Sequence, residues 1–230
     1  MNNRVCIDAG HGGKDSGAVH HGMLEKDLNL SLALKVQELL TRVGVEVIMT
    51  RETDIFVELS DRAKIANDND VNIFVSLHRN AWTSPDALGV STHIFPSSVR
   101  GRELGEVLQD AQLRAFKSNN RGIRESRFAV LRLTRMSANL LETGFMSNPD
   151  DAEKMKDSVV EDNTAYEVSK AISEFIGIEW DINEKEKDKP VSRMLYRVQI
   201  GAFRDKDNAI ALGQKAKDAG FDVYIRKEGV

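Results

Sequence analysis

The sequence predicts an α/β fold: a mostly parallel, twisted sheet with helices on both faces, followed by a small C-terminal β-α-β (α+β) half-module. Three observations predict it. Short apolar or β-branched runs bounded by Gly, Asp, Asn or Ser recur through residues 1–178, helical apolar periodicity separates most of them, and composition turns charged and polar at 179 before the pattern resumes. Strands joined through helices pair in parallel and are covered on both faces.

RVCIDA (4–9) opens the chain as a buried strand. Over 24–43, Leu24, Leu28, Leu32, Val36, Leu39, Leu40 and Val43 recur at steps of three and four, and Gly44 stops the helix they predict. VEVIMT (45–50) is the next strand, SDRAKIAND (60–68) a helix, VNIFVSLH (71–78) and VSTHIF (90–95) strands, and RGRELGEVLQDAQLRAF (100–116) a helix. FAVLRL (128–133) and ANLLE (138–142) read as strands and NTAYEVSKAISEFIGI (163–178) as a helix. EWDINEKEKDKPVSR, with almost no apolar content, predicts a linker over 179–194. Beyond it LYRVQIGAF reads as a strand, DKDNAIALGQKAKDAG as an amphipathic helix and FDVYIRK as a strand, a unit over 195–230 too small to bury a convincing core alone.

Bulk properties narrow the function. Lys+Arg 32 against Asp+Glu 36 gives a formal net charge of -4, and the charges are interspersed, which argues against nucleic acid as a partner. No apolar run approaches the roughly 20 residues that span a bilayer, and MNNRVCIDAG enters a strand at once, so the expectation is a chain made in the cytoplasm without a signal peptide or membrane partner. The single cysteine, Cys6, lies inside an apolar strand, where a small buried thiol is its expected role.

Ligands of an open α/β sheet sit beyond the carboxyl ends of its strands. His11 follows the first strand, His78 closes the third, Glu142 closes ANLLE, and Glu25 starts the helix returning from that same rim. Two imidazoles, a carboxylate and an open position make a hydrolytic zinc site, and a further carboxylate serves as general base. Which glutamate takes which role is open at this level. HGGKDSG does not suit a phosphate: Asp15 stands where a P-loop needs Ser or Thr, and no G-x-G-x-x-G frame fits. His20 and His21 fall in a polar loop, and His93, alternating with Ser91 and Phe95, has a sheet-face role.

CIDAGHGGKDSGAV, GMLEKDLNLSLALKVQELL, GVEVIMTRETDIFVELSDRAKIAN, FVSLHRNA, NRGIRE and LLETGFMSNPDDAEKM follow in the order found in zinc-dependent N-acetylmuramoyl-L-alanine amidases of the type-3 family, which residues 1–178 resemble. The resemblance implies one Zn2+ held by His11, Glu25 and His78, with Glu142 as catalytic base. It implies cleavage of the amide between N-acetylmuramic acid and the L-alanine of the peptidoglycan stem peptide. Asn80 and Arg121, in rim loops, are the candidate substrate contacts. The chain departs from the family pattern at Arg79, Ser137, Asn139 and Thr143, and Arg79 adjoins His78.

The tail resembles the first half of a SPOR module, a small domain that binds glycan strands. Two such halves related by a two-fold axis would complete one sheet, so a homodimer through 195–230 is expected. A leaderless wall hydrolase reaches its substrate by phage lysis through a holin or by mother-cell lysis, acting as an endolysin or an autolysin. The competing readings are a zinc peptidase cutting within the stem peptide and a catalytically inert wall-binding protein.

Overall fold

A computed structural model describes residues 3–182, 201, 203 and 205–219. The chain divides into two compact units, Met1–Val191 and Ser192–Val230. In the first, six strands form one sheet: β1 (Arg4–Ala9), β4 (Glu46–Met49), β5 (Ile73–Asn80), β6 (Val90–Ile94), β7 (Asn120–Glu125) and β8 (Ser137–Phe145), in the order β4-β1-β5-β8-β6-β7. Every pairing is parallel except β6 with β8, which is antiparallel. A two-stranded hairpin, β2 (Val19–His20) with β3 (Met23–Leu24), leads into the first helix.

One face is covered by α1 (Glu25–Arg42), α3 (Val99–Phe116) and α6 (Ser158–Phe175). Val5, Ile7 and Ala9 of β1 pack there with Leu32, Leu104, Leu108 and Ile172. The other face carries α2 (Leu59–Asp68) and α4 (Ala129–Leu133), over Cys6, Phe74 and Leu140. The period of two along each strand makes the division: alternate residues of β1 go to opposite cores. Helix α5 (Pro149–Lys156) follows β8, with Asn148 as a cap whose side chain accepts from the Asp151 backbone N–H. Cys6 is fully buried, and burial pushes its thiol pKa up.

Three expectations need correction. FAVLRL is not a strand: Leu131 and Arg132 donate back to the Phe128 carbonyl, and the resulting turn of helix buries Val130 and Leu131 side by side against the sheet. NRGIRE is a strand, β7, so Arg121 lies in the sheet's edge and Asn80 at the end of β5, not in loops. Residues 179–182 are not a solvated linker: Ile182 is buried, and the Trp180 ring meets Tyr166 edge-on at 5.3 Å.

The second unit is described through α7 (Lys206–Asp218), capped by Asp205, whose side chain accepts from the Asp207 N–H. The strands expected around it lie outside the described residues apart from Gly201 and Phe203, as does most of the expected linker. No described helix is long and apolar enough to cross a membrane.

Candidate metal centre

The β1–α1 loop is fixed from beneath by two buried arginines. Arg62 donates to the carbonyls of Ala9 and His11 at 2.6 Å each, and Arg51 donates to those of Ala9 and Gly10 at 2.9 Å. The Arg62 charge is balanced by Asp8, 1% exposed, which also accepts from Thr50 and Ser76. Burial would raise the Asp8 pKa, but Arg62 and the two hydroxyls hold it below the ordinary carboxylate range. His11 thereby takes a left-handed backbone, φ 61°.

Glycine is needed twice at this point. A Cβ on Gly10 would lie 2.3 Å from the His78 ring, and one on Gly17 would lie 2.5 Å from Glu25 Oε2. These two positions let the backbone pass against the site's side chains.

His11, Glu25 and His78 converge so that one ligand atom from each lies within 4.8 Å of the others. Glu25, the first residue of α1 and 4% exposed, sits between the imidazoles: Oε2 is 3.1 Å from His11 Nε2 and Oε1 is 2.9 Å from His78 Nδ1. Burial would raise the Glu25 pKa, but the two imidazoles depress it far below the usual range. Burial would lower that of His11, but Glu25 and Asp15 raise it to about 9. Two imidazoles sharing a buried carboxylate are a donor set suited to a divalent transition ion. Asp15 Oδ2 lies 2.8 Å from His11 Nδ1, so the ring's second nitrogen is tied down and Nε2 is left facing Glu25.

Glu142 enters from the neighbouring strand, in register with His78 across the parallel β5–β8 pair and with Ser91 across the antiparallel β6–β8 pair. Residues in register share a face, so His78, Glu142 and Ser91 form one row. Glu142 Oε2 is buried without a hydrogen-bond partner among the described residues, and burial pushes the carboxyl pKa up to about 7 despite His78 nearby.

Asn80 and Arg121 line a cleft of about 360 Å³ beside this row. Arg79 does not reach it. Its side chain is buried on the opposite face, where Nη1 donates to the Thr143 carbonyl at 3.2 Å; only its backbone N–H touches the site, donating to Glu25 Oε1. Thr143 in turn donates to Gln112, and Asn139 to the Gly101 carbonyl, so three of the four unusual positions serve buried polar packing beneath the site. His20 is partly exposed and His21 exposed. The sequence alone assigns Asp15 no role at the site, although a carboxylate four residues after a glycine-flanked histidine is a signal that points to one.

The sequence profile of the N-acetylmuramoyl-L-alanine amidase family matches residues 5–174, and that of the SPOR domain matches 193–230. A sporulation-specific N-acetylmuramoyl-L-alanine amidase of Bacillus subtilis is 35% identical over 225 residues, 96% of this chain and 84% of the relative. An endolysin of Bacillus phage SPP1 is 36% identical over 202 residues, 84% of this chain and 74% of the relative. Among solved structures, the catalytic domain of the CwlV amidase from Bacillus (Paenibacillus) polymyxa superposes with a TM-score of 0.74 at 36% identity, over 76% of this chain and 99% of that one. An amidase from Clostridium difficile 630 does so at 0.73 and 32%, over 75% and 96%.

Proposed function

Because the chain belongs to the N-acetylmuramoyl-L-alanine amidase family, a family of peptidoglycan hydrolases, we propose that it cuts the amide between the lactyl group of N-acetylmuramic acid and L-alanine with one zinc ion held by His11, Glu25 and His78 and with Glu142 as base. The observation that carries this assignment is the pairing of a buried carboxylate, Glu25, shared by two imidazoles, with a second carboxylate, Glu142, whose buried Oε2 has no hydrogen-bond partner among the described residues. A buried charge or acceptor of that kind costs free energy unless something it serves arrives.

A zinc ion held by His11, Glu25 and His78 would supply Lewis-acid polarisation of the scissile carbonyl and a water whose pKa is lowered to about 7. Glu142, with a pKa raised toward neutrality, accepts the proton of the attacking water and delivers it to the departing alanine nitrogen as the C–N bond breaks. The lactyl group leaves as a carboxylate and the stem peptide as a free amine. Asp15 holds His11, and Arg62 with Arg51 hold its loop, so the ligand geometry is set before substrate arrives.

Asn80 and Arg121 are assigned to substrate, residues 1–182 to catalysis and the tail to the wall, where the protein acts after release by phage lysis or mother-cell lysis. Two tails pairing through 195–230 would cover apolar surface such as Ile210, 46% exposed; sedimentation of the full chain as a monomer at micromolar concentration overturns that pairing.

The test of the function is end-group analysis of digested walls. New L-alanine amino termini on intact stem peptides, lost on prolonged chelation and restored by zinc, are expected. A different new amino terminus makes the protein a peptidase, and no new terminus makes it a binding protein only.

A further inference from the structure

The cleft beside Glu142 has a chemical character that the zinc site does not explain. It opens on the face of the sheet that carries His78 and Glu142, and two guanidinium groups line it, Arg121 and Arg124, with Trp82, Ser91, His93 and Phe145. Among the described residues no carboxylate lines it.

Register places these groups. Ser91 is directly opposite Glu142, and His93, two residues along β6, is opposite Arg124 on β7, so all four share one face. The His93 ring is held between two hydroxyls, Ser91 Oγ at 3.2 Å from Nε2 and Ser126 Oγ at 2.7 Å from Nδ1. Arg121 lies over the Phe145 ring at 4.8 Å and donates from Nη1 to the Leu88 carbonyl at 3.3 Å. Arg124 is exposed and has no ion pair or hydrogen bond among the described residues. The glutamate next to it, Glu125, pairs instead with Arg102, so Arg124 keeps its full charge for the cleft.

Distance selects the ligand. Neighbouring strands lie about 4.8 Å apart, so β7 runs roughly 10 Å from Glu142, two strand spacings away. An extended peptide advances about 3.5 Å per residue, so a chain leaving the scissile bond in this direction reaches the two arginines with its second or third residue. Bacterial stem peptides carry free carboxylates there, on an isoglutamate second residue or a diaminopimelate third residue, and either can be capped as an amide.

We propose that the cleft between β6 and β7 is the stem-peptide subsite, and that Arg124, supported by Arg121, selects substrates bearing a free carboxylate two to three residues from the cut over their amidated counterparts. This rests on the amidase reading. A planar guanidinium fork matches a carboxylate and loses its partner when the group is an amide. Trp82, 63% exposed at the mouth, offers an apolar wall to the peptide backbone.

The test uses the zinc-loaded full chain and four muramoyl tripeptides, with isoglutamate or isoglutamine second and diaminopimelate or its amide third. Wild type should favour one free acid by about tenfold in kcat/KM, the loss expected of one charge-assisted hydrogen bond at an open site. Arg124→Gln should erase most of that ratio through KM, and Arg124→Lys should restore part of it. The position at which amidation matters identifies the carboxylate. Equilibrium binding of the four free tripeptides to the same proteins reads the subsite without hydrolysis: a retained preference with no turnover would leave this inference standing and sink the amidase reading. Equal treatment of acid and amide by wild type, or a ratio unmoved by Arg124→Gln, overturns it.

Discussion

Glu142 and His78 stand side by side on adjacent parallel strands, one residue in register with the other, yet only His78 bonds to Glu25. Two carboxylates therefore meet one imidazole in different ways, and their substitutions should separate. Glu142→Gln keeps the shape and should lower turnover by about 10²- to 10⁴-fold, the usual worth of a general base, with zinc content near one per chain. Glu25→Gln should lose both activity and metal. Atomic absorption on the two variants decides, and metal loss from the first with retention in the second would reverse the assignment.

Asp15 holds His11 through Oδ2 and accepts from the Gly17 backbone N–H through Oδ1, and its own side chain is 44% exposed. Asp15→Asn keeps an acceptor for Gly17 but gives up the charge facing His11, so it should weaken zinc affinity by about 10- to 100-fold and lower the thermal midpoint of the metal-free protein only slightly. Competition with a chromogenic chelator measures the first and calorimetry the second. Unchanged zinc affinity would remove Asp15 from the site.

Much of this arrangement was legible in the sequence, because His11 follows β1, His78 and Glu142 lie two and three residues before the ends of β5 and β8, Glu25 starts a helix, and that end of an α/β sheet forms one rim. What was not legible depends on pairing between distant segments. His93 reads correctly as a sheet-face residue, but its place in the cleft follows from β6 running antiparallel to β8, which nothing local specifies. NRGIRE is an edge strand whose polar residues give no alternation to read, so Arg124 had no visible neighbour. FAVLRL, six residues with five apolar, cannot be assigned by periodicity alone; its helix forms because two adjacent apolar residues both find the core.

His93 supplies a prediction about pH. Burial, with the charges of Arg124 and His78, lowers its pKa to about 4. The folded state thus resists a proton that the unfolded chain accepts near 6.5, and stability falls as pH drops from about 6.5 to 4. His11, raised to about 9, has the opposite sign: its contribution is complete below 6.5 and fades as pH rises through 9. A difference measurement isolates His93. In chelated protein, the excess in thermal midpoint of wild type over His93→Gln should shrink between pH 7 and 4, and an excess constant with pH would refute the argument.

The last prediction concerns where catalysis ends along the chain. Composition alone suggests a cut at Glu179, but Tyr166 meets Trp180 edge-on, with the rings at 85°, and the Tyr166 hydroxyl donates to the Ile182 carbonyl at 3.4 Å. Ile182 is only 7% exposed. Burying such an isoleucine contributes about 1.5–3 kcal/mol and an aromatic pair about 0.5–1.5, so removing both should cost roughly 2–4 kcal/mol. For a domain of this size, at about 2–4 °C per kcal/mol, that lowers the thermal midpoint by about 4–16 °C. A chain ending at Ile178 should show that loss, whereas one ending at Val191 should melt with the catalytic unit of the full chain and cut soluble muramoyl peptides at the same rate. Only the tail distinguishes that second truncation from the full chain. Since the SPOR match begins at residue 193, it should bind whole walls less well, because tethering raises the local concentration of catalyst without touching the active site. Co-sedimentation with purified walls measures this, and equal pelleting of the full chain and the chain ending at Val191 would deny the tail a role at the wall.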